Sequence, residues 1–412
     1  MKKIPGLIFL FLLMNFSIIG QIMNKKFKSE VQTIILSKSE EKTIITDNPV
    51  IDLGTQGNYQ ICFDDLVMKN LTYHLRVIHC QSDWKPSNLS EIEYLQDFND
   101  IPIRSPKNSF GTKIPYLHYQ IELPKVRISG NYIAMVYAQR NKRDTVFTKR
   151  FSVYENAITV AAKISFARPN HLRNTHQAID LTLIYPNQLM LNSDEGIQVI
   201  LRKNYQTKNW LDKIPRAQIN GQDRKITFPF YDNENVIPGG NEFRLINLSS
   251  TQQKMTFVES IRQYDAYTEV STQLEVPQGN YSYVQRPDFD GSFVIDHYEN
   301  GNSNVSSDYI WCIFQLKMEE LANEQIYVVG AFNQFEKSPD NLMEYNASKQ
   351  MYTKRIRLKQ GIYNYQFVSN KPNNMLEGNY SQTENTYEVL VYFRKPGDRH
   401  DSLLGYNKLL FP

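Results

Sequence analysis

The feature that most constrains this chain is a period of two. In TYHLRVIHC, Tyr73, Leu75 and Val77 share one face, and His74 and Arg76 the other. In HYQIELP, Tyr119, Ile121 and Leu123 oppose His118, Gln120 and Glu122. Successive side chains of a strand point to opposite faces, so each run reads as a half-buried strand. No stretch carries convincing helical periodicity, which leaves packed sheets as the way to build a core. The 26 Tyr and 22 Phe point the same way, because aromatic side chains favour pleated surfaces. At 412 residues the chain is long enough for two to four domains with their own cores.

Turn residues divide the strands into three consecutive β-sandwiches of an immunoglobulin-like or early-set-like kind. Residues 28–154 form the first, of about seven strands by turn spacing. Within it ISGNYIAMVYA carries a Gly130-Asn131 turn and then a strand apolar on both faces, which is expected to be central. Residues 155–298 form the second, a β-rich unit with ITVAAKISF, IDLTLIYP and GIQVILRKN as strands. A tight turn or bulge is expected at Gly239-Gly240, and long hairpins with tyrosines on their faces between Tyr264 and Asp296. The small polar run ENGNSNVSS, 299–307, reads as a linker. Residues 308–412 form the third sandwich, from YIWCIFQLKM to TYEVLVYFRKPGD.

Residues 1–20 stand apart from the fold. Lys2 and Lys3 precede an almost unbroken apolar run from Ile4 to Ile19, the layout of a secretory signal with a cut after Gly20. An uncleaved N-terminal anchor is the alternative. No Cys follows the run, which argues against a lipid anchor there. Of 46 Lys and Arg, two lie in this segment and no acid does, so 44 remain against 43 Asp and Glu, a net charge of +1. Such a balance gives no electrostatic case for nucleic acid. Of the three cysteines, Cys62 and Cys80 lie on segments that qualify as neighbouring strands, so a bridge stays open. Buried free thiols are the default for these two and for Cys312.

Catalytic signatures are missing. The chain has no G-x-S-x-G elbow, Walker loop, G-x-G-x-x-G, CxxC, HxxxH or HExxH, and no cofactor, metal or small-molecule substrate is expected. His74 and His118 are expected to face solvent from their strands. Asp64 and Asp65 adjoin on a strand and so point to opposite faces, too far apart in direction for acid and base work on one substrate. The richest loop is QSDWKPSNLSEIEYLQDFND, 81–100. Pro86 stops a strand ladder, and Ser90 with Glu93 matches a capping box for one helical turn. Trp84, Tyr94 and Phe98 offer apolar bodies that seal the loop, and Asp97, Asn99 and Asp100 suit turn hydrogen bonds. Trp84, Tyr94, Phe98 and Asn99 are also the candidate partner contacts, because long ordered loops on sandwiches often bind.

Two resemblances follow from longer motifs. VVGAFNQFEKSPDNLMEY with GIYNYQF resembles the glycogen-binding-type sandwich found beside glucan-acting enzymes, with Gly330, Phe332, Asn333 and Phe335 in the family's places. Sugar-binding members stack ligand on tryptophan, and Phe335 stands where Trp is common. Glycan binding through Phe332, Asn333 and Phe335 is the alternative function. Over nearly the whole chain, HCQSDWKPSNLSEIEYLQDFNDIPI, FGTKIPYLHYQIELP, SGNYIAMVY, PGGNEFRLINL, DFDGSFVI and EGNYSQTENTYEVLVYFRKPGDRHDSLLGY resemble the plug protein family of the type IX secretion system. The resemblance implies a non-enzymatic, monomeric periplasmic protein at the inner face of the outer membrane. Its implied partner is the large outer-membrane translocon β-barrel, whose opening it covers through protein contacts.

Overall fold

In the computed structural model, residues 23–39, 43–69, 71–187, 189, 195–211, 213–299 and 302–411 are described. The expected secretory signal, 1–20, lies outside them. Strands carry 45% of the chain and helix 3%, so the architecture is all-β as the alternation requires. The strands form three two-sheet sandwiches.

The first sandwich is contiguous in sequence. One sheet runs Lys25–Lys26, Thr145–Tyr154, Gly130–Ala138, Tyr73–Cys80, Ile101–Ile103, with Val50–Asp52 parallel to Thr145–Tyr154. The other runs Val31–Lys38, Tyr59–Asp65, Leu117–Glu122, Lys107–Asn108. Gly130–Ala138 is central, as its two apolar faces demand, and Gly130 and Asn131 begin this strand instead of forming a turn. Between the sheets, Phe63 stacks on Tyr119 at 5.0 Å and Tyr73 meets both rings edge-on. Buried aromatic pairs of this kind contribute about 0.5–1.5 kcal/mol each beyond area burial.

The other two sandwiches are interleaved, which corrects the division at 298 and 308. The second pairs Thr159–Phe166, His176–Ile184, Lys225–Thr227, Gln218–Asn220 and Val236–Pro238 in one sheet. Its opposite sheet is Ile197–Lys203 with the C-terminal hairpin Asn385–Phe393 and Ser402–Phe411. Their common core joins Ile179, Leu183, Leu201 and Ile226 to Tyr387, Val389 and Val391. The third sandwich is inserted between Pro238 and Asn385. One of its sheets holds Arg244–Asn247, Gly361–Ser369, Phe293–Ile295 and Ile326–Val329. The other holds Val258–Gln263, Thr268–Thr272, Tyr309–Lys317, Met351–Lys359 and Glu344–Asn346. Turn spacing reports only local pairing, and these ladders join segments far apart in sequence.

Local expectations fare unevenly. Gly239 is required, because a Cβ there would lie 1.9 Å from Tyr380 O, and Gly240 adopts φ +75°. Between Thr268–Thr272 and Phe293–Ile295 the chain runs irregularly, not as long hairpins. The expected linker connects two strands of one sandwich, and its residues Ser303–Ser306 form a helical turn that touches the first sandwich. There Tyr116 Oη donates to the Asn304 and Ser307 carbonyls, and the Phe110 amide to the Val305 carbonyl.

Each sandwich meets the other two. Leu390, Tyr392 and Leu403 of the second pack with Val50 and Tyr154 of the first. Ile45 of the first bridges Phe293 of the third and joins its core. Between second and third, the Gln177 amide donates to the Ser381 and Thr383 carbonyls, and Lys203 Nζ to that of Gly239, where the insertion begins. Burial pushes that Lys203 ammonium down to about 7.

Candidate docking surface

The 81–100 loop begins where Tyr73–Cys80 leaves its sheet. Trp84 takes φ 65°, its amide closing a turn on the Gln81 carbonyl, and the Arg150 guanidinium sits 4.4 Å from its ring centre. A cation on a Trp face is worth about 0.5–2 kcal/mol. The capping box forms: Glu93 Oε2 accepts the Ser90 amide at 2.7 Å and starts the single turn Glu91–Tyr94. Tyr94 is buried and its hydroxyl donates to the Val77 carbonyl at 3.2 Å.

Asn99 does the work of a missing strand. Its Oδ1 accepts the Val77 amide and its Nδ2 donates to the Val77 carbonyl, both at 2.8 Å. The side-chain amide thus satisfies both backbone groups of a residue that Ile101–Ile103 is too short to reach. Asp100 then accepts from Tyr137 Oη at 2.8 Å and pairs with His74 Nδ1 at 2.6 Å.

Of the four candidate contacts, Tyr94 and Asn99 are therefore buried structural groups, and Trp84 is half-covered. Phe98 stands 83% exposed, with Ile92 on the same loop at 76%. The loop's opening half is also clamped within the chain. Asp401 accepts the Ser82 amide and hydroxyl, Arg399 pairs with Glu93, and the Gln81 side chain donates to the Arg399 carbonyl. What remains available to a partner is the tip carrying Ile92 and Phe98. Phe110, on a second loop of the same sandwich, is 80% exposed.

The histidine expectation is overturned. His74 and His118 are buried, because Asp100 covers one and the third sandwich the other. Asp64 and Asp65 do point opposite ways. Asp65 accepts from Tyr73 inside the first sandwich, and Asp64 faces Lys359 and Tyr309 of the third. Cys62 and Cys80 lie in opposite sheets and, with Cys312, are buried free thiols. Burial pushes Cys62 and Cys80 up to about 12, which keeps them protonated and unreactive.

The glucan-type positions are structural as well. Phe332 packs with Phe314 and Tyr363, and Phe335 with Phe243. Asn333 accepts the Gly330 amide and donates to the Val328 carbonyl, holding the 3-10 turn Ala331–Asn333. Among the described residues no three His, Cys, Asp or Glu side chains gather as a metal set. No helix there is long and apolar enough to cross a membrane.

Fold and surface thus define a multi-sandwich all-β protein that presents an ordered loop carrying exposed apolar side chains. Residues 31–155, the first sandwich, match the family model for the type 9 secretion system plug protein 1st domain, which supports the resemblance in the sequence over that part of the chain. The whole chain is similar to the crystal structure of a hypothetical protein from Parabacteroides merdae ATCC 43184. The two are 26% identical with a TM-score of 0.86, covering 95% of this chain and 100% of that one. No curated protein matches.

Proposed function

We propose that this protein is a non-enzymatic periplasmic component of the type IX secretion system that covers the periplasmic opening of the outer-membrane translocon barrel as a monomer. The observation that carries this reading is the plug-domain match across the first sandwich, residues 31–155. Physical features support it. A wide aqueous barrel leaks unless a stiff body covers its mouth, and three sandwiches in mutual contact cannot bend as beads on a string do. A cover that must release favours a modest, wet interface over a large apolar one. Isolated exposed side chains such as Phe98, Ile92 and Phe110 amid polar surface suit that need.

Affinity capture of the full protein from mildly solubilised envelopes tests the reading. A large outer-membrane barrel is expected among the retained proteins, and deletion of the gene is expected to raise outer-membrane permeability. Capture without a barrel, together with unchanged permeability, overturns it.

A further inference from the structure

A cavity of about 170 Å³ opens between the first and third sandwiches. Exposed Ser39, Asn302 and Asn304 rim it, and buried Cys62, His118 and Lys359 line its depth. Three features distinguish it from a packing gap.

The first is an imidazole nitrogen without a partner. His118 is 5% exposed, and its Nδ1 lies 2.7 Å from Asp64 Oδ1. Its Nε2 is buried with no hydrogen-bond partner among the described residues. An ionised carboxylate only accepts, so a neutral imidazole here keeps its ring proton on Nδ1 toward Asp64 and offers Nε2 as an acceptor. Leaving such a group unpaired costs about 1–3 kcal/mol.

The second feature is charge balance. Asp64 Oδ2 accepts from Tyr309 Oη at 2.7 Å and from Lys359 Nζ at 2.6 Å. Burial pushes the Asp64 carboxyl up, but Lys359 and His118 outweigh it and hold the group below its ordinary value. Carboxylate and ammonium thus cancel at the cavity wall, leaving no net charge to recruit an ion.

The third feature is strain. Thr33 adopts φ 49°, a left-handed backbone that β-branched residues avoid at a cost of order 1–3 kcal/mol. It sits where the register of Val31–Lys38 on Tyr59–Asp65 shifts between Gln32 and Ile35. This bulge brings the Thr33 hydroxyl to 2.5 Å from Tyr309 Oη at the cavity's edge.

We propose that this cavity binds a small neutral polyhydroxyl molecule of single-pyranose size, one of whose hydroxyls donates to His118 Nε2. A cavity of about 150 Å³ accommodates one unsubstituted six-membered ring, so at about 170 Å³ a pyranose seats one edge of its ring inside and leaves its remaining hydroxyls at the open mouth. Ser37, Thr43 and Gln120 are the polar residues of the wall, while Ile35, Ile45 and Ile295 supply apolar patches for C–H faces. Cations and anions alike lack an uncompensated counter-charge. The inference does not depend on the secretion reading, and it lies away from Phe332, Asn333 and Phe335.

The test is a titration of the full chain, labelled with ¹⁵N-histidine and ¹³C-isoleucine methyls, followed by NMR. The probes are D-glucose, D-galactose, N-acetylglucosamine and myo-inositol, each to about 50 mM, far above a millimolar Kd. Sodium phosphate and ammonium chloride form separate arms. At least one polyol is expected to move His118 Nε2 and the Ile45 methyls saturably while the His74 ring stays fixed. His118→Asn retains a donor for Asp64 but lacks Nε2, and is expected to weaken the Ile45 response at least ~10-fold, or about 1.4 kcal/mol. If no polyol moves His118, if the shifts grow linearly without saturation, or if only phosphate or ammonium acts, the proposal falls. The wild-type titration decides the matter even where the variant does not fold.

Discussion

The first sandwich meets its two neighbours through contrasting chemistry. Toward the third it buries charge: Asp64 takes Lys359 and Tyr309, and Asp308 accepts the Lys113 and Ile114 amides. Toward the second it buries apolar side chains, Leu390, Tyr392 and Leu403, with a rim of polar clamps around Asp401. Arg202 is also buried there, but it is already paired with Glu388 inside the second sandwich and only donates to the Asn48 carbonyl. A desolvated ion pair tolerates no partial separation, since parting the charges without water strands both. An apolar contact loses stability in proportion to exposed area, and its rim clamps can exchange with water. The charged junction is therefore the all-or-none one, and the apolar junction the one able to open by degrees.

The largest expected effect comes from Lys359→Met. It leaves Asp64 buried without its cation and is expected to cost about 3–5 kcal/mol in urea unfolding. Lys359→Met combined with Asp64→Asn should recover much of that. A loss under about 1 kcal/mol for the single variant would mean the junction is wet and the contrast false. Leu403→Ala, across the apolar junction, is expected to cost about 3 kcal/mol. Its first structural sign should be a change at Trp84, with Trp311 of the third sandwich unaffected.

Acid should attack the same apolar junction. Burial, with His400 beside it, pushes the His79 imidazole from 6.5 down to about 4. Tyr94, Tyr132 and Asp401 also face it. Between those pH values the unfolded chain binds the proton and the folded one does not, so stability falls as pH drops through the window. The loss should reach about 3 kcal/mol near pH 4. Denaturation midpoints measured across that range check it, and His79→Asn, which can still reach Ser87, should flatten the profile.

Two smaller effects lie outside both junctions. Asn99→Ala unpairs the Val77 amide and leaves its carbonyl only the Tyr94 hydroxyl, and is expected to cost about 2 kcal/mol. Phe98→Ser should change stability by under about 0.5 kcal/mol, yet reduce barrel capture if the loop tip is the contact. Unchanged capture would move the contact to another face.

The sequence made the first sandwich legible and obscured the other two, for a physical reason. Alternation, capping and turn chemistry act over a few residues, so the strand of Tyr73, the central strand after Gly130 and the Ser90–Glu93 turn could be read directly. The pairing of Ile197–Lys203 with Asn385–Phe393 depends on side chains meeting across an inserted sandwich, and nothing local encodes it. Site reading failed in the same way. His118 stands on the polar face of an alternating strand, and only the arrival of Lys359 and Tyr309 turns that face inward. Trp84, Tyr94 and Asn99 read as one ordered loop, and they lie in one. Which of them would be covered depended on Arg150 and Val77, and for the clamp on residues near the C-terminus. The one useful signal for the charged junction was a run of polar residues, Gln60, Cys62 and Asp64, where a solvent-facing strand rarely needs a thiol.

The insertion between Pro238 and Asn385 also sets an order of events for a newly made chain. The half-sheet carrying Ile179, Leu183 and Ile226 has only the single facing strand of Val199 and Leu201 for apolar cover until the hairpin from Asn385 brings Val389 and Val391. The second sandwich must therefore wait, sticky and open, while the third completes within it. A ribosome or export channel that has yet to release Asn385–Phe393 and Ser402–Phe411 holds back the keystone of the molecule, since a domain folds as a unit only once its whole chain is free.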